Sequence, residues 1–337
     1  MKQSGILITV ILMTMLCGCA PRGQTAETAL FAMDTYCRLE VHGKNAEEAL
    51  TAAAAELERL EALFSITKPD SDVSRINASD GEALAVSADT LAIVETADAV
   101  SRATNGAFDI TIEPIVRLWG VYGGEWRVPE EREISEALRS VDYTRLRYDA
   151  AQMTVQTGPG QRIDLGGIGK GYASDRMAQV LMEQGVDGAL ITLGGNVHAL
   201  GPRRDGGGWR IGIRDPLDES GILAVVELRD QAIITAGSYQ RYFDAGGKRY
   251  HHIMDPATGR PAENGLLSVT VIAESGAYAD ALATALFVMG AERAIALWRQ
   301  LGGFDMILVS AEGHVQYTTG VRIRERSDYY QYAEIVE

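Results

Sequence analysis

The stretch DLGGIGKGYASD, residues 164–175, changes from a strand-like to a helix-like pattern around four glycines. Without a Cβ atom, the backbone at these positions can approach a ligand closely and can adopt positive φ angles. Lys170 follows the third glycine, at the point where a helix would begin, beside the positive end of the helix dipole. The stretch predicts the floor of a nucleotide site, although a tightly packed structural turn would have the same pattern.

Two common nucleotide-binding loops do not match this stretch. The P-loop pattern requires Gly in place of Asp164, and Ser or Thr in place of Gly171. The dinucleotide fingerprint that would begin at Gly167 requires a glycine at position 172, which is Tyr172. Any phosphate site here would have a different architecture.

Length and composition indicate one large globular unit. The 337 residues are 46% hydrophobic and 23% charged, and no repeat or low-complexity linker interrupts residues 30–330. We therefore predict a single intertwined α+β domain over residues 30–330 and a tail over 331–337. The net charge of −15 argues against nucleic acid and against electrostatic membrane binding, so an anionic ligand must rely on local positive charge.

The N-terminus predicts export. Residues 1–18 have Lys2 followed by an apolar run that suits a signal peptide and is too short to span a bilayer. The sequence LCGC at 16–19 resembles a lipobox, which predicts lipidation of Cys19, a tether over 19–29 and a lipid anchor on the extracytoplasmic side of a membrane. A plain signal peptide cut nearby is the alternative. Cys37 is then the one cysteine in the folded body, so no internal disulfide is expected.

Periodicity assigns elements to the rest of the chain. Helical spacing of leucines predicts a helix over 45–64, and Ser87 and Asn105-Gly106 bound a second helix. Residues 31–41 alternate like one strand, and residues 65–77 have the composition of a polar loop. The remaining pattern predicts a short helix at 133–140, two strands within 146–155 and a helix from Lys170 to Gly185. Strands are expected at 188–193, 197–200, 209–214, 223–228, 232–235, 249–253 and 266–272. A helix is expected at 275–289, followed by another that ends at 301, and then strands at 304–309 and 315–317.

The expected helix at 275–289 carries a second chemical signal. Asp280 and Thr284 are four residues apart, so they share one face of the helix among small alanines. Carboxylate and hydroxyl oxygens are hard donors of the kind that Mg²⁺ prefers. The alternative is structural: Asp280 complements the helix dipole and Thr284 bonds to the preceding turn.

The histidine pair in YHHIMDPATG, residues 250–259, carries a third signal. Side chains alternate along a strand, so His251 and His252 face opposite ways and cannot bind one metal together. One of them can face a site as an acid, a base or a phosphate donor, or both can be structural. Hydrolase motifs such as G-x-S-x-G and H-E-x-x-H are absent from the sequence.

Together these segments resemble the ApbE family, the FAD:protein FMN transferases of the bacterial envelope. The resemblance implies an α+β fold of two intertwined lobes with antiparallel-rich sheets and packed helices, related to T-folds, with FAD between the lobes. Its motifs run in order along the chain: AMDTY (32–36), PDSDVSRIN (69–77), GAFDIT (106–111), PIVRLWG (114–120), DLGGIGKGYASD (164–175), LGGN (193–196), HHIMDPATG (251–259) and ADALATA (279–285).

The resemblance also implies the site residues. His252 matches the histidine implicated in activity, and the Mg²⁺ site would consist of the Gly167 carbonyl with the side chains of Asp280 and Thr284, near Ala283. The positions expected to contact FAD are Met33, Thr67, Ala107, Phe108, Asp109, Asp164, Lys170 and Ile253.

The activity implied is Mg²⁺-dependent transfer of the FMN moiety of FAD to a threonine hydroxyl of an acceptor flavoprotein, with release of AMP. Lys170 would neutralise charge on the leaving group, and His252 or Asp280 would receive the proton. The acceptor would be an exported flavoprotein or a flavoprotein subunit of a membrane redox complex. Two rival functions are an FAD pyrophosphatase, with water as the acceptor, and a non-catalytic flavin-binding lipoprotein.

Overall fold

The computed structural model describes residues 24–218 and 220–336. The predicted signal peptide (1–18) and Cys19 lie outside these residues. Within them, eight α-helices form: α1 (Ala46–Phe64), α2 (Asp72–Ala78), α3 (Ala88–Ala103), α4 (Glu113–Leu118), α5 (Glu131–Leu138), α6 (Gly169–Glu183), α7 (Gly276–Met289) and α8 (Ala291–Leu301). None of these helices combines the length and the apolar character needed to cross a bilayer.

The strands of the same described residues are β1 (Gln24–Ala32), β2 (Thr35–Gly43), β3 (Leu84–Ala85), β4 (Arg147–Asp149), β5 (Thr154–Gln156), β6 (Gly188–Leu193), β7 (Asn196–Leu200), β8 (Trp209–Arg214), β9 (Ile222–Leu228), β10 (Gln231–Gly237), β11 (Tyr242–Ala245), β12 (Lys248–His251), β13 (Met254–Asp255), β14 (Arg260–Pro261), β15 (Leu266–Ala273), β16 (Asp305–Ser310), β17 (His314–Thr318), β18 (Ile323–Arg326) and β19 (Gln331–Ile335).

One large sheet organises the fold. In the described residues it has nine strands in the order β1-β2-β6-β7-β10-β15-β16-β17-β19, antiparallel except for the last pair. Helices α1, α6 and α7 cover one face, and the three-stranded sheet β18-β9-β8 covers the other. The predicted antiparallel-rich α+β class is confirmed.

Side chains alternate between the two faces of the central strands and so contribute to two hydrophobic cores, one under the helices and one under the small sheet. In β10, Ala232 and Ile234 join the helical core, whereas Ile233 joins the core under the small sheet. In β16, Leu308 joins the helical core and Ile307 joins the core under the small sheet. Because successive side chains point to opposite faces of a strand, apolar residues at every position predict a strand buried on both sides.

The prediction of one strand over 31–41 is wrong, and so is the part of the predicted tether (19–29) that lies within the described residues, from residue 24 onward. Gln24 already pairs with Gly43, and β1 and β2 form a hairpin along their whole length. The turn between them has φ of 51° at Met33 and 57° at Asp34, which is typical of a type I′ turn. Asp tolerates this conformation but Met rarely adopts it, so the residue types at 33 and 34 do not predict a turn.

The loop predicted over 65–77 is also partly wrong, because α2 begins at Asp72. The Ser71 hydroxyl caps the helix by accepting a hydrogen bond from the Ser74 amide at 3.0 Å. The buried Asp72 carboxylate accepts hydrogen bonds from the Ser87 amide and the Thr90 hydroxyl, both at 2.8 Å. Ser and Asp side chains bond to nearby backbone groups both in turns and at helix N-termini. Composition alone therefore does not distinguish a polar loop from the start of a helix.

The C-terminal tail predicted over 331–337 is wrong for most of its length. Gln331–Ile335 form β19, which lies parallel to β17 at the edge of the large sheet, and Ile335 is buried. Five residues with one apolar anchor give too weak a pattern to predict a strand. Pairing with β17 satisfies their backbone groups.

Candidate active site

A cavity of about 1100 Å³ lies where the start of α6 and the first half of α7 face strands β8 and β10. Most of the predicted site residues line it, namely Met33, Thr67, Ala107, Phe108, Asp109, Asp164, Gly167, Lys170, His252, Ile253, Asp280 and Thr284. A volume of this size is large enough for a dinucleotide-sized ligand.

The glycine turn of residues 166–171 contacts α7 directly. A Cβ atom placed on Gly167 would lie 3.5 Å from Thr284 Oγ1 and 3.1 Å from the Phe108 ring. One placed on Gly171 would lie 2.1 Å from a backbone oxygen of α7, so no larger residue fits there. The Gly171 amide donates to Asp280 Oδ2 at 2.9 Å. This hydrogen bond joins two residues, Gly171 and Asp280, that are 109 positions apart in the sequence.

Lys170 supplies positive charge at this point. Its Nζ donates to the Gly166 carbonyl at 3.1 Å and lies 3.9 Å from Asp280 Oδ2. The lysine side chain is 26% exposed and Asp280 is 7% exposed, so solvent only partly screens this pair. The first turn of α6 adds its own positive dipole end, which suits a phosphate group.

The residues predicted to hold a divalent cation have suitable oxygens. Asp280 is buried, and Thr284 Oγ1 lies near Gly167 while donating to the Asp280 carbonyl at 3.3 Å. Within residues 24–218 and 220–336, no group of three or more His, Cys, Asp and Glu side chains could hold a metal. The oxygens present, one carboxylate, one hydroxyl and backbone carbonyls, are of the kind that hard divalent cations prefer.

For Ala283 and Asp109, the structure supports the predicted site roles less directly than for the other residues. The Ala283 side chain is fully buried in the helical core, so only its backbone could contribute to a metal site. The Asp109 carboxylate accepts hydrogen bonds from the amide and hydroxyl of Thr111 at 2.7 Å and from the Tyr143 amide at 2.9 Å. Its oxygens stabilise the loop around it, and burial raises its pKa.

Asp164 lies under the glycine turn in a closed setting. It accepts hydrogen bonds from the Gly166 amide at 2.5 Å and from the Tyr122 hydroxyl. Burial raises the pKa of Asp164, and burial followed by the Asp164 charge raises the pKa of Tyr122. This pair fixes the entry to the turn.

The two histidines face opposite ways, as the alternation rule predicted. His251 packs edge-on against Phe287 at 5.5 Å, and its Nε2 lies 3.0 Å from the Ala262 carbonyl. His252 lines the cavity, and its Nδ1 lies 3.2 Å from the Arg241 carbonyl. A carbonyl only accepts, so Nδ1 carries the proton and Nε2 keeps its lone pair. Desolvation lowers the pKa of His252 to about 3, so the ring is neutral at physiological pH.

The turn between β1 and β2 forms part of the rim. Met33 holds its strained φ of 51° at the cavity, and the neighbouring Asp34 is bound by Arg241 at 3.0 Å. Thr67 is exposed, and Ile253 is buried, and both line the cavity. Backbone strain at a ligand cavity is typical of functional positions.

Sequence reasoning missed the opposite side of the cavity. Tyr122 and Arg241 carry no motif, although the glycines at 123 and 124 marked a loop there. The apolar lining also went unassigned, since it comes from separate strands: Ile211 and Ile213 of β8, and Ile233 and Ala236 of β10.

Comparison with known proteins agrees with this arrangement. A family model described as the ApbE family matches residues 33–308. A protein of Treponema pallidum (strain Nichols), named FAD:protein FMN transferase, is 34% identical over 96% of this chain and 94% of its own length.

Two solved structures are similar over nearly their whole length. The ApbE protein of Thermotoga maritima has a TM-score of 0.81 at 36% identity, covering 90% of this chain and 97% of its own. The flavin transferase ApbE of Vibrio cholerae has a TM-score of 0.78 at 30% identity, covering 91% and 98%.

Proposed function

The chain belongs to the ApbE family, and we propose that it is an FAD:protein FMN transferase. FAD is its substrate and an acceptor protein receives the flavin. The observation that carries this proposal is the meeting of the glycine turn with Asp280 and Thr284 at a cavity large enough for FAD.

We further propose that the diphosphate of FAD lies between the glycine turn and α7. Lys170, at the positive end of the α6 dipole, would bind its phosphate oxygens. Asp280, Thr284 and the Gly167 carbonyl would hold Mg²⁺, which supplies Lewis-acid stabilisation of phosphate charge when it is bound. Asp164 and Tyr122 would keep the turn in register without touching the reacting atoms.

The proposed reaction is an in-line displacement at the riboflavin-side phosphorus. The acceptor threonine oxygen forms a bond to that phosphorus, and the bond to the AMP phosphate oxygen breaks. Lys170 stabilises the negative charge that develops on AMP. The products are phosphoester-linked FMN and AMP.

We assign proton acceptance from the threonine hydroxyl to His252. Its Nε2 lone pair is available because Nδ1–H is held by the Arg241 carbonyl. A pKa of about 3 makes it a weak base in the ligand-free cavity, but a diphosphate bound nearby would raise its basicity. Asp280 is less suited, since its carboxylate already accepts from Gly171 and lies near Lys170.

The decisive experiment incubates the protein with FAD, Mg²⁺ and a threonine-bearing acceptor. The transferase adds FMN less one water to the acceptor and releases one AMP for each flavin. Free FMN plus AMP with an unmodified acceptor would instead establish the pyrophosphatase. FAD that remains intact on the protein with any metal would establish a flavin-binding lipoprotein.

We also propose that the protein is exported and anchored through a lipid on Cys19, where it would modify exported flavoproteins or subunits of membrane redox complexes. The support is the apolar run of residues 5–16, which ends in the LCGC sequence at 16–19. Radiolabelled palmitate should enter the wild type and not Cys19→Ser. Equal labelling of both would contradict the anchor.

A further inference from the structure

The N-terminal ends of α6 and α7 approach each other more closely than side chains would allow. A Cβ atom on Gly171 would lie 2.1 Å from the Gly276 carbonyl, and one on Gly276 would lie 2.5 Å from Ser174 Oγ. Both positions are glycine, so the two helix starts can touch through their backbones.

Each helix caps the other with a carboxylate. Asp280 of α7 accepts a hydrogen bond from the Gly171 amide in the first turn of α6 at 2.9 Å. In return, Asp175 of α6 accepts from the Gly276 amide at 2.5 Å and the Ala277 amide at 3.0 Å, in the first turn of α7. The Ser275 hydroxyl donates a third hydrogen bond to Asp175 at 2.8 Å.

Asp175 has no place in the chemistry itself. It does not line the cavity, whereas Asp280 does. It is also not the intrinsic cap of α7, because Ser275 Oγ accepts from the Tyr278 amide at 3.2 Å. The same Asp175 Oδ1 that accepts from Gly276 lies 3.3 Å from Nδ1 of His198, which is buried, while the Asp175 side chain is 26% exposed.

We propose that Asp175 is a positioning residue that sets the register of α7 on α6 and so places Asp280 and Thr284 against the glycine turn. Asp280 follows the capped amides by about one helical turn, so a shift of that first turn displaces both proposed side-chain ligands of the cation, Asp280 and Thr284. Such sites are sensitive to small displacements: an error of about 1 Å can cost a factor of about 100 in rate. This role rests on the proposed function.

The test compares Asp175→Ala and Asp175→Asn with Ser87→Ala, which removes the side-chain cap of α3 away from the cavity. Mg²⁺ affinity is measured by calorimetry on the full-length protein with AMP and without acceptor, and kcat and KM are measured in the transfer assay. In Asp175→Ala we expect Mg²⁺ affinity and kcat each to fall about 10-fold or more, with KM for FAD within about 3-fold.

The conservative variant should recover part of the loss. Asn keeps one carbonyl oxygen as an acceptor, so Asp175→Asn should lie between the wild type and Asp175→Ala. Ser87→Ala should lower the melting temperature with no change in Mg²⁺ affinity or kcat. Together these results would separate positioning from general stability.

Three results would overturn the inference. If Asp175→Ala keeps the Mg²⁺ affinity and kcat of an active wild type, the positioning role of Asp175 is refuted and the proposed function stands. An equal loss in Ser87→Ala would reduce Asp175 to a stability residue. A wild-type protein that binds no Mg²⁺ and transfers no flavin would refute the proposed function together with the role of Asp175.

Discussion

The cavity has two unlike walls. The helix wall consists of the glycine turn of 166–171 with Asp280 and Thr284, and it is polar, charged and closely packed. The strand wall consists mainly of Ile211, Ile213, Ile233 and Ala236, with Arg214 and Thr235 beside them, and it is mostly apolar. FAD is divided in a similar way, into a charged diphosphate and flat aromatic rings whose faces can pack on apolar side chains. From this contrast we expect the helix wall to perform the chemistry and the strand wall to contribute binding.

The largest effect should come from removing the charge of Asp280. Asp280→Asn keeps an oxygen that accepts from the Gly171 amide but loses the negative charge needed to hold a cation. We expect the transfer rate to fall about 1000-fold, with the melting temperature nearly unchanged. In-gel flavin fluorescence of the acceptor measures the rate. Full activity in this variant would remove the helix wall from the chemistry.

The second effect concerns Lys170. Lys170→Gln removes the positive charge beside the leaving phosphate, so kcat/KM should fall about 10-fold to 100-fold. Lys248→Gln, at a half-exposed lysine paired with Glu263 outside the cavity lining, is the matched control and should behave like the wild type. Equal losses of kcat/KM in both variants would show that the net charge of the protein, and not the local charge at Lys170, determines the rate.

The helix wall could be predicted from the sequence because each half of it is a local motif. The glycines around Lys170 and the four-residue spacing of Asp280 and Thr284 are visible in short windows. Their meeting was implied by family resemblance, and the structure brings them together through the Gly171–Asp280 hydrogen bond. The distance of that contact could not be predicted, since it depends on how α6 packs on α7.

The strand wall could not be predicted, for a physical reason. Ile211 and Ile233 resemble any other buried residues of a strand, and only sheet packing decides which core residues also face a cavity. The hairpin turn at Met33 and the strand at 331–335 were missed similarly. Partners distant in sequence stabilise both, and local propensity does not register them.

A third, smaller effect should therefore appear on binding. Ile211→Ala removes apolar contact area from the strand wall, so KM for FAD should rise about 3-fold to 10-fold while kcat stays within about 2-fold. Steady-state kinetics with varied FAD separates the two parameters, and circular dichroism checks the fold. A large fall in kcat with unchanged KM would contradict the division between the walls.

The smallest effect should be on stability through His252, whose desolvation lowers its pKa to about 3. Between that pH and about 6.5, the unfolded chain binds a proton that the folded chain does not, so stability falls as the pH falls. Urea unfolding at pH 7 and pH 5 should show a stability loss smaller in His252→Gln than in the wild type, by about 1 kcal/mol after allowance for solvent in the cavity. Identical losses would show that His252 is not desolvated.

The most direct test of the central claim is the location of the cation. Crystals grown with FAD and Mn²⁺ in place of Mg²⁺ should give an anomalous difference peak bounded by the Gly167 carbonyl, Asp280 and Thr284, with the FAD diphosphate beside it. A peak elsewhere, with Asp280 and Thr284 unligated and the diphosphate away from the glycine turn, would contradict the account.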